Sequence, residues 1–385
     1  MTVSWSRWPT PTRRGAAFLV AAVLAVVCAF AWSVPVLVQV AGVLVGILAL
    51  ALIAVAFGRP AWSAERDVDP RVADPGEPIG VHVRLRREGH SALDVVEWWE
   101  DASGGGHSGV LLDEGRGRAP GARYEVRLSQ RGRHRIGPTS VRVSDPFGLA
   151  SRWVELPGES SVVVLPRRVP LSSDSPLMQV LGGRDHLVEH RASARGLGEP
   201  DVLARPYRFG DPVKLLHWKA TAHRGSLMVR QEEQQTRRRV VLVVDTRGGD
   251  ERDLDWRVDA AASVLERLHR DDADVQVVVD EATVDVAPDV APQEALIALA
   301  LAAPSASIAR WGDLGADRLV FAGRIDVETA RHWLGQPDRA PAAVFVHASS
   351  DADAVEMLRR EGWACVRYRD RDDVAQLWIE AEVRS

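Results

Sequence analysis

Cysteine is nearly missing from this chain: Cys28 and Cys365 are the only two in 385 residues. They lie far apart, Cys28 inside an apolar run, so neither a disulfide framework nor a thiolate metal cluster can form, which fits a reducing compartment. Several catalytic signatures are missing too. No G-x-S-x-G elbow is present, no G-x-G-x-x-G loop follows the strand ending at Asp245, and His217 and His223, six apart, lack the i, i+4 spacing of a helical zinc site. Blocks of Lys or Arg that would mark a nucleic-acid reader are also lacking, so no nucleic-acid partner is expected. What remains is a chain long enough for two or three domains, 46% hydrophobic and 26% charged, as globular domains with some membrane content would be.

Charge is divided unevenly. From Val240 onward 29 acidic residues stand against 16 basic ones, whereas 24 acidic and 32 basic residues precede it. The basic half suits an anionic membrane surface and the acidic half suits solubility. The first half also holds the uncharged runs. Gly15–Trp32 and Val34–Phe57 each approach the roughly 20 residues that span a bilayer as a helix, and Ser33 and Pro35 separate them. The pattern predicts a transmembrane hairpin over 15–58 after a short N-terminus at 1–14, with the lipid bilayer as its partner. A cleaved signal peptide would be shorter and single. Arg7, Arg13 and Arg14 before the hairpin and Arg59 and Arg66 after it predict that both ends face the cytoplasm.

After the hairpin the period falls to two. IGVHVRLRRE, LDVVEWWED, RYEVRLSQ, TSVRVSD and SSVVVLPRR alternate apolar and polar residues between Gly-, Pro- and Ser-containing turns. They predict a small β-sandwich over 67–168. The Gly-rich stretches Ser103–Gly109 and Asp113–Gly121 read as loop tips, and Asp145–Leu149 (DPFGL) as a structural corner.

From 239 to 385, apolar strands alternate with amphipathic helices, beginning with RVVLVVD and LDWRVDAAASVLERLHR. This predicts an α/β doubly wound, mostly parallel sheet, in which ligands bind at the carboxyl ends of strands. Asp245 stands at such an end. Von Willebrand factor A-type domains share this order of elements and hold a divalent cation with Asp-x-Ser-x-Ser after the first strand. Here Arg247 and Gly249 replace both serines, so no metal is expected and Asp245 is the one remnant of such a site.

Between the two domains lies an aromatic and basic segment. Asp211 and Pro212 read as a helix start and Gly225 as its stop, with His217 and His223 on nearly opposite faces. Its aromatics, Trp218 above all, are expected to form a buried joint between sandwich and α/β domain. A hydrolase or transferase centred on Asp211, His217 and Asp245 is the alternative, and a cation-dependent binder a third.

The stretch Asp201–Glu233 resembles the signature of the bacterial family catalogued as domain of unknown function 58. Arg205, Tyr207, Gly210, Asp211, Trp218, Thr221 and Arg230 match its pattern, Lys214 stands where Arg is usual, and His217 falls inside it. The 185–233 region is therefore read as a family signature joining the domains. DPFGL, the N-terminal hairpin and VVLVVDTR are similar to the family as well. The resemblance implies a membrane-anchored protein with a von Willebrand A-like region, encoded beside MoxR-type AAA+ ATPases and transglutaminase-like membrane proteins, without established enzymatic activity. The combined expectation is a non-enzymatic, cofactor-free adaptor that presents a degenerate von Willebrand A-like domain to cytoplasmic partners, a MoxR-type ATPase among them.

Overall fold

The computed structural model describes residues 8–58, 62–87, 94–102, 105–110, 121–177, 204–207, 216, 218–230, 239–280, 282–306, 317–336 and 342–380. The chain divides into two compact units, Met1–Pro166 and Arg167–Ser385.

The first unit opens with strand β1 (Thr10–Pro11) and helices α1 (Arg13–Ala31) and α2 (Val36–Phe57). Thr12 caps α1, its hydroxyl oxygen accepting from the Gly15 amide at 3.2 Å. Ser33 turns the chain with a φ of 56°. Both helices are long and apolar enough to cross a membrane. They leave large side chains such as Val20, Leu24, Phe30, Val43, Leu50 and Phe57 uncovered.

The strands that follow are β2 (Trp62–Asp69), β3 (Val72–Ala73), β4 (Pro78–Arg87), β5 (Asp94–Ala102), β6 (Gly105–Val110), β7 (Gly121–Arg127), β8 (Gly132–Ser144), β9 (Ala150–Leu156) and β10 (Ser160–Val164). One sheet runs β2-β4-β7. The other runs β1-β9-β8-β10-β3, with β5 joined to β8 and β6 to β5. The period-two reading of β4 is seen directly: Val81, Val83 and Leu85 are buried, while Arg84 and Arg86 face out. These residues share a core with Ile136, Val141 and Val143 of β8, and with Leu48, Ala51 and Val55 of α2.

Two sequence expectations change here. Strand pairing begins at Trp62 and recruits Thr10–Pro11, ahead of the expected start at 67. The Gly-rich stretch at 103–109 is not simply a loop tip, since Gly105–Val110 pairs antiparallel with β5, Glu97 opposite Val110. Backbone pairing at an edge needs no side-chain pattern, so a period-two search cannot find it.

The second unit contains β11 (Ala204–Pro206), α3 (Trp218–Arg224), β12 (Met228–Arg230), β13 (Arg239–Val244), α4 (Glu251–Arg270), β14 (Asp274–Val279), β15 (Ala282–Val286), α5 (Gln293–Ala300), β16 (Asp317–Phe321), α6 (Val327–Leu334), β17 (Ala342–His347), α7 (Ala352–Arg360), β18 (Ala364–Tyr368) and α8 (Val374–Glu380). Its main sheet has the order β15-β14-β13-β16-β17-β18 and is parallel except for β15. Val240 through Val244 are all buried, as a central parallel strand covered on both faces requires. On α4, Leu254, Val258, Ala261, Leu265 and Leu268 form the buried stripe that the helical period predicts.

The antiparallel β15 was not legible. Val279 pairs with Ala282, so the chain reverses within two residues, and Asp280 takes the left-handed conformation (φ 53°) that usually selects Gly or Asn. Ahead of β11, an arm at 167–177 binds the α/β elements. The Arg167 amide donates to Asp259 (2.9 Å) and the Val169 amide to Ser263 (3.1 Å), both on α4. Trp378 of α8, 1% exposed, donates from Nε1 to the Ser172 carbonyl at 2.9 Å, and Ser175 donates to the Trp378 carbonyl.

Candidate functional site

The signature segment is only partly within the described residues. Gly210, Asp211, Lys214 and His217 lie outside them. Arg205 and Arg230 sit on the two strands of a short antiparallel ribbon, Arg205 opposite Val229 and Ala204 opposite Arg230. The half-buried Tyr207 extends it, its amide donating to the Leu227 carbonyl at 2.8 Å. Thr221 ties α3 to the ribbon, its hydroxyl oxygen accepting from the Met228 amide at 2.9 Å. Gly225, with a φ of 68°, ends the helix where the sequence placed its stop.

Two expectations need correction. Leu216 forms a β-bridge with Val229, so its backbone is extended and α3 begins only at Trp218. Trp218 is 68% exposed and is not a buried joint residue. At the first position of a two-turn helix, its indole projects outward.

The second site lies where open α/β sheets bind ligands, at the carboxyl edge between two neighbouring strands whose connections leave in opposite directions. Here those strands are β13 and β16. β13 delivers Asp245, Thr246, Arg247, Gly248 and Gly249 to the Asp250 cap of α4, and β16 delivers Ala322, Gly323 and Arg324. Asp245 is 2% exposed, and both its carboxylate oxygens are taken. Arg247 donates from Nε to Oδ1 at 3.0 Å and from Nη2 to Oδ2 at 2.8 Å, and its own amide donates to Oδ1 at 3.1 Å. This two-point fork is the strong form of a carboxylate–guanidinium contact. The guanidinium occupies the carboxylate oxygens that a cation would otherwise use.

Beneath it Arg257, 1% exposed, enters from α4. It donates to the carbonyls of Asp245, Arg247 (3.0 Å) and Gly248 (2.8 Å), and pairs with Asp253 at 3.2 Å. Asp253 also accepts from the Tyr368 hydroxyl at 2.6 Å, which lies 3.0 Å from the Ala322 carbonyl. Burial raises the Tyr368 phenol well above its ordinary range, reinforced by Asp253 and opposed by Arg257, so it stays a protonated donor. Two carboxylates and two guanidiniums thus balance in charge within one group, of which only Arg247 is partly exposed.

The two loops meet without a gap. A Cβ on Gly323 would stand 2.3 Å from the Gly248 carbonyl oxygen, and one on Gly249 would stand 1.9 Å from Asp253 Oδ2. Chemically, the Asp245 carboxylate at this strand end is engaged by the chain's own arginine. Beside it, Asp280 Oδ1 accepts from Ser305 at 2.9 Å and from the buried Thr246 hydroxyl. Among the described residues, no three His, Cys, Asp or Glu side chains gather as a metal-holding group.

Arg257, Asp253 and Tyr368 escaped the sequence reading. The one signal was Arg257 itself, a charged residue at the Leu254, Val258, Ala261 face of an amphipathic helix. Asp245, the proposed centre of the alternative enzymatic reading, is engaged by Arg247, while Asp211 and His217 lie outside the described residues.

No curated protein matches the chain. Several solved structures match parts of it. An alkylpurine DNA glycosylase from Pseudomonas fluorescens is 20% identical over 27% of this chain and 30% of its own, with a TM-score of 0.19. A CARDB domain from Pyrococcus furiosus is 16% identical over 28% and 90%, with a TM-score of 0.20. A conjugative transposon lipoprotein from Bacteroides eggerthii is 14% identical over 26% and 100%, with a TM-score of 0.16. Scores this low inform neither the fold nor the function. Over residues 203–252, which include the described part of the signature ribbon and the Asp245–Arg247 loop, the chain matches the family described as "Protein of unknown function DUF58".

Proposed function

We propose that this protein is a membrane-anchored, non-enzymatic adaptor whose α/β unit is a von Willebrand A-like domain with its cation site replaced by an internal ion pair. The carrying observation is the Arg247 fork on Asp245, which occupies both carboxylate oxygens where the first strand ends. The sheet order supports the reading. With the strands numbered as they occur in this sheet it is 3-2-1-4-5-6, with the third strand antiparallel. The two uncharged helices supply the anchor, and the Arg residues at both ends of the pair favour cytoplasmic soluble units. A MoxR-type AAA+ ATPase is the partner class that the family resemblance implies.

Two measurements test this. In lipid nanodiscs, the unfolding midpoint of the full chain should not move when magnesium or calcium is added. A cation-dependent rise would overturn the replaced-site reading. Crosslinking in native membranes should recover an AAA+ ATPase, and recovery of none would end the adaptor reading.

A further inference from the structure

The turn between β8 and β9 is built on Asp145, which is 3% exposed. Oδ1 accepts from the amides of Leu149 (2.8 Å) and Ala150 (2.7 Å), and Oδ2 from the amide of Phe147 (2.9 Å). The carbonyl of Asp145 accepts from the Gly148 amide at 2.9 Å. This fixes the turn, yet Phe147 at its tip is 71% exposed. The same turn grips the start of α1. Thr12 donates from its amide to the Leu149 carbonyl at 2.9 Å and from its hydroxyl to the Gly148 carbonyl at 2.5 Å. A Cβ on Gly15 would lie 2.1 Å from the Leu149 oxygen and 3.1 Å from Leu48 Cδ1. The turn, the first turn of α1 and Leu48 of α2 therefore share one level along the hairpin.

Beyond Leu48, α2 continues to Phe57, about 14 Å at 1.5 Å per residue. Ala51 and Val55 in this stretch are buried against the strands, but Leu50, Ile53 and Phe57 face outward at 67%, 55% and 83% exposure. The first charge after them is Arg59. Arg13 and Arg14 open α1 at the level of the turn, so that level is the lipid headgroup region and the Phe147 tip lies where the hairpin enters the bilayer.

We infer that the β8–β9 turn is itself a membrane-contacting element: Phe147 inserts into the lipid interface beside the hairpin. The inference deepens the proposed function and rests on its reading of the hairpin as membrane-inserted. The occupant is the bilayer, because the turn is continuous with the start of α1 and carries its own interfacial chemistry. Arg13 and Arg14 are exposed at this level, and Arg14 Nη1 would lie 3.6 Å from a Cβ on Gly148, placing a guanidinium for lipid phosphates next to the apolar tip. At the other helix end, Arg152 of β9 donates to the Gly58 carbonyl at 2.7 Å. The β unit is thus hydrogen-bonded to the hairpin at both of these ends, and its turn has a set depth.

The test uses the full chain in phosphatidylglycerol-containing vesicles, with Cys28→Ala removing the half-buried thiol. Cys365 stays unlabelled, because burial pushes its thiol up to about 11. A polarity-sensitive fluorophore is attached at Phe147→Cys in one sample and at Val43→Cys, an exposed mid-span position of α2, in another. The inference expects blue-shifted emission at both sites. Nitroxide near the lipid headgroup should quench the Phe147 label more than aqueous iodide does, and deeper nitroxide should quench the Val43 label. If the Val43 label is quenched from the lipid while the Phe147 label stays water-like and iodide-accessible, the inserted turn is refuted and the hairpin stands. If both labels stay water-like, the hairpin reading fails as well. Phe147 is exposed, so its replacement leaves the core intact, and an unchanged circular dichroism spectrum verifies this.

Discussion

Asp145 and Asp245 are both almost fully buried, at 3% and 2% exposure, yet their surroundings stabilise them in opposite ways. Asp145 is held by three backbone amides and no cation donates to it in the hydrogen bonds described above. Asp245 is held by a guanidinium fork, with a second buried arginine directly behind it. An amide cradle fixes the shape of a turn, because the donors belong to the turn itself. An ion pair fills a site, because the donor arrives with charge and bulk. The same residue type therefore builds a rigid tip in one unit and closes a crevice in the other.

The comparison would break most readily at Arg257. Arg257→Leu leaves Asp253 buried without its cation and several carbonyls without donors, so unfolding free energy should fall by about 3–5 kcal/mol in chemical denaturation. Asp145→Ala comes next: three amides lose their acceptor, a cost of about 2–4 kcal/mol, and Asp145→Asn should recover part of it by restoring one acceptor oxygen. If Asp145→Ala is nearly neutral, the cradle account of the turn is wrong. Arg247→Ala should cost less, about 1–2 kcal/mol, since its own side chain is partly exposed and the loop amide still donates to Asp245. It should also make the unfolding midpoint respond to magnesium where the parent does not.

A smaller effect concerns the Asp326 cap of α6. The Thr329 amide lowers this carboxyl below its ordinary value of 3.8. Its folded pKa is thus depressed, so its stabilisation is complete above that value and lost as pH falls through the lowered one. Asp326→Ala should remove about 1 kcal/mol at neutral pH, and the difference between variant and parent should vanish in strong acid. The smallest change is expected at Trp218. At 68% exposure, Trp218→Ala should alter stability by no more than about 0.5 kcal/mol. A loss of several kcal/mol would restore the buried-joint expectation.

Much of the frame could be read from residue order because its causes are local. Two uncharged runs give the helix pair, alternation gives β4 and β8, and a five-residue apolar strand gives β13. Asp245 was also legible, since a strand end is a sequence position and Arg247 stands two residues on. The rest depends on distant segments meeting. Tyr368 reaches Asp253 across 115 residues of chain, and no local pattern announces that hydrogen bond. Trp218 misled for a related reason: density of aromatics suggests burial, but the bridge from Leu216 to Val229 shortens the helix and leaves the indole outside.

The arm at 167–177 has a mechanical consequence. A pull on the chain at Pro166 reaches Arg167 first, and the bonds to Asp259 and Ser263 on α4 lie along the loaded strand of chain. Farther on, Trp378 and Ser175 clamp the arm to α8. Tension from the first unit would have to peel this fastening before it could reach β13 through the chain. The arm thus delivers such a pull to α4 and α8 before it can reach β13 along the chain.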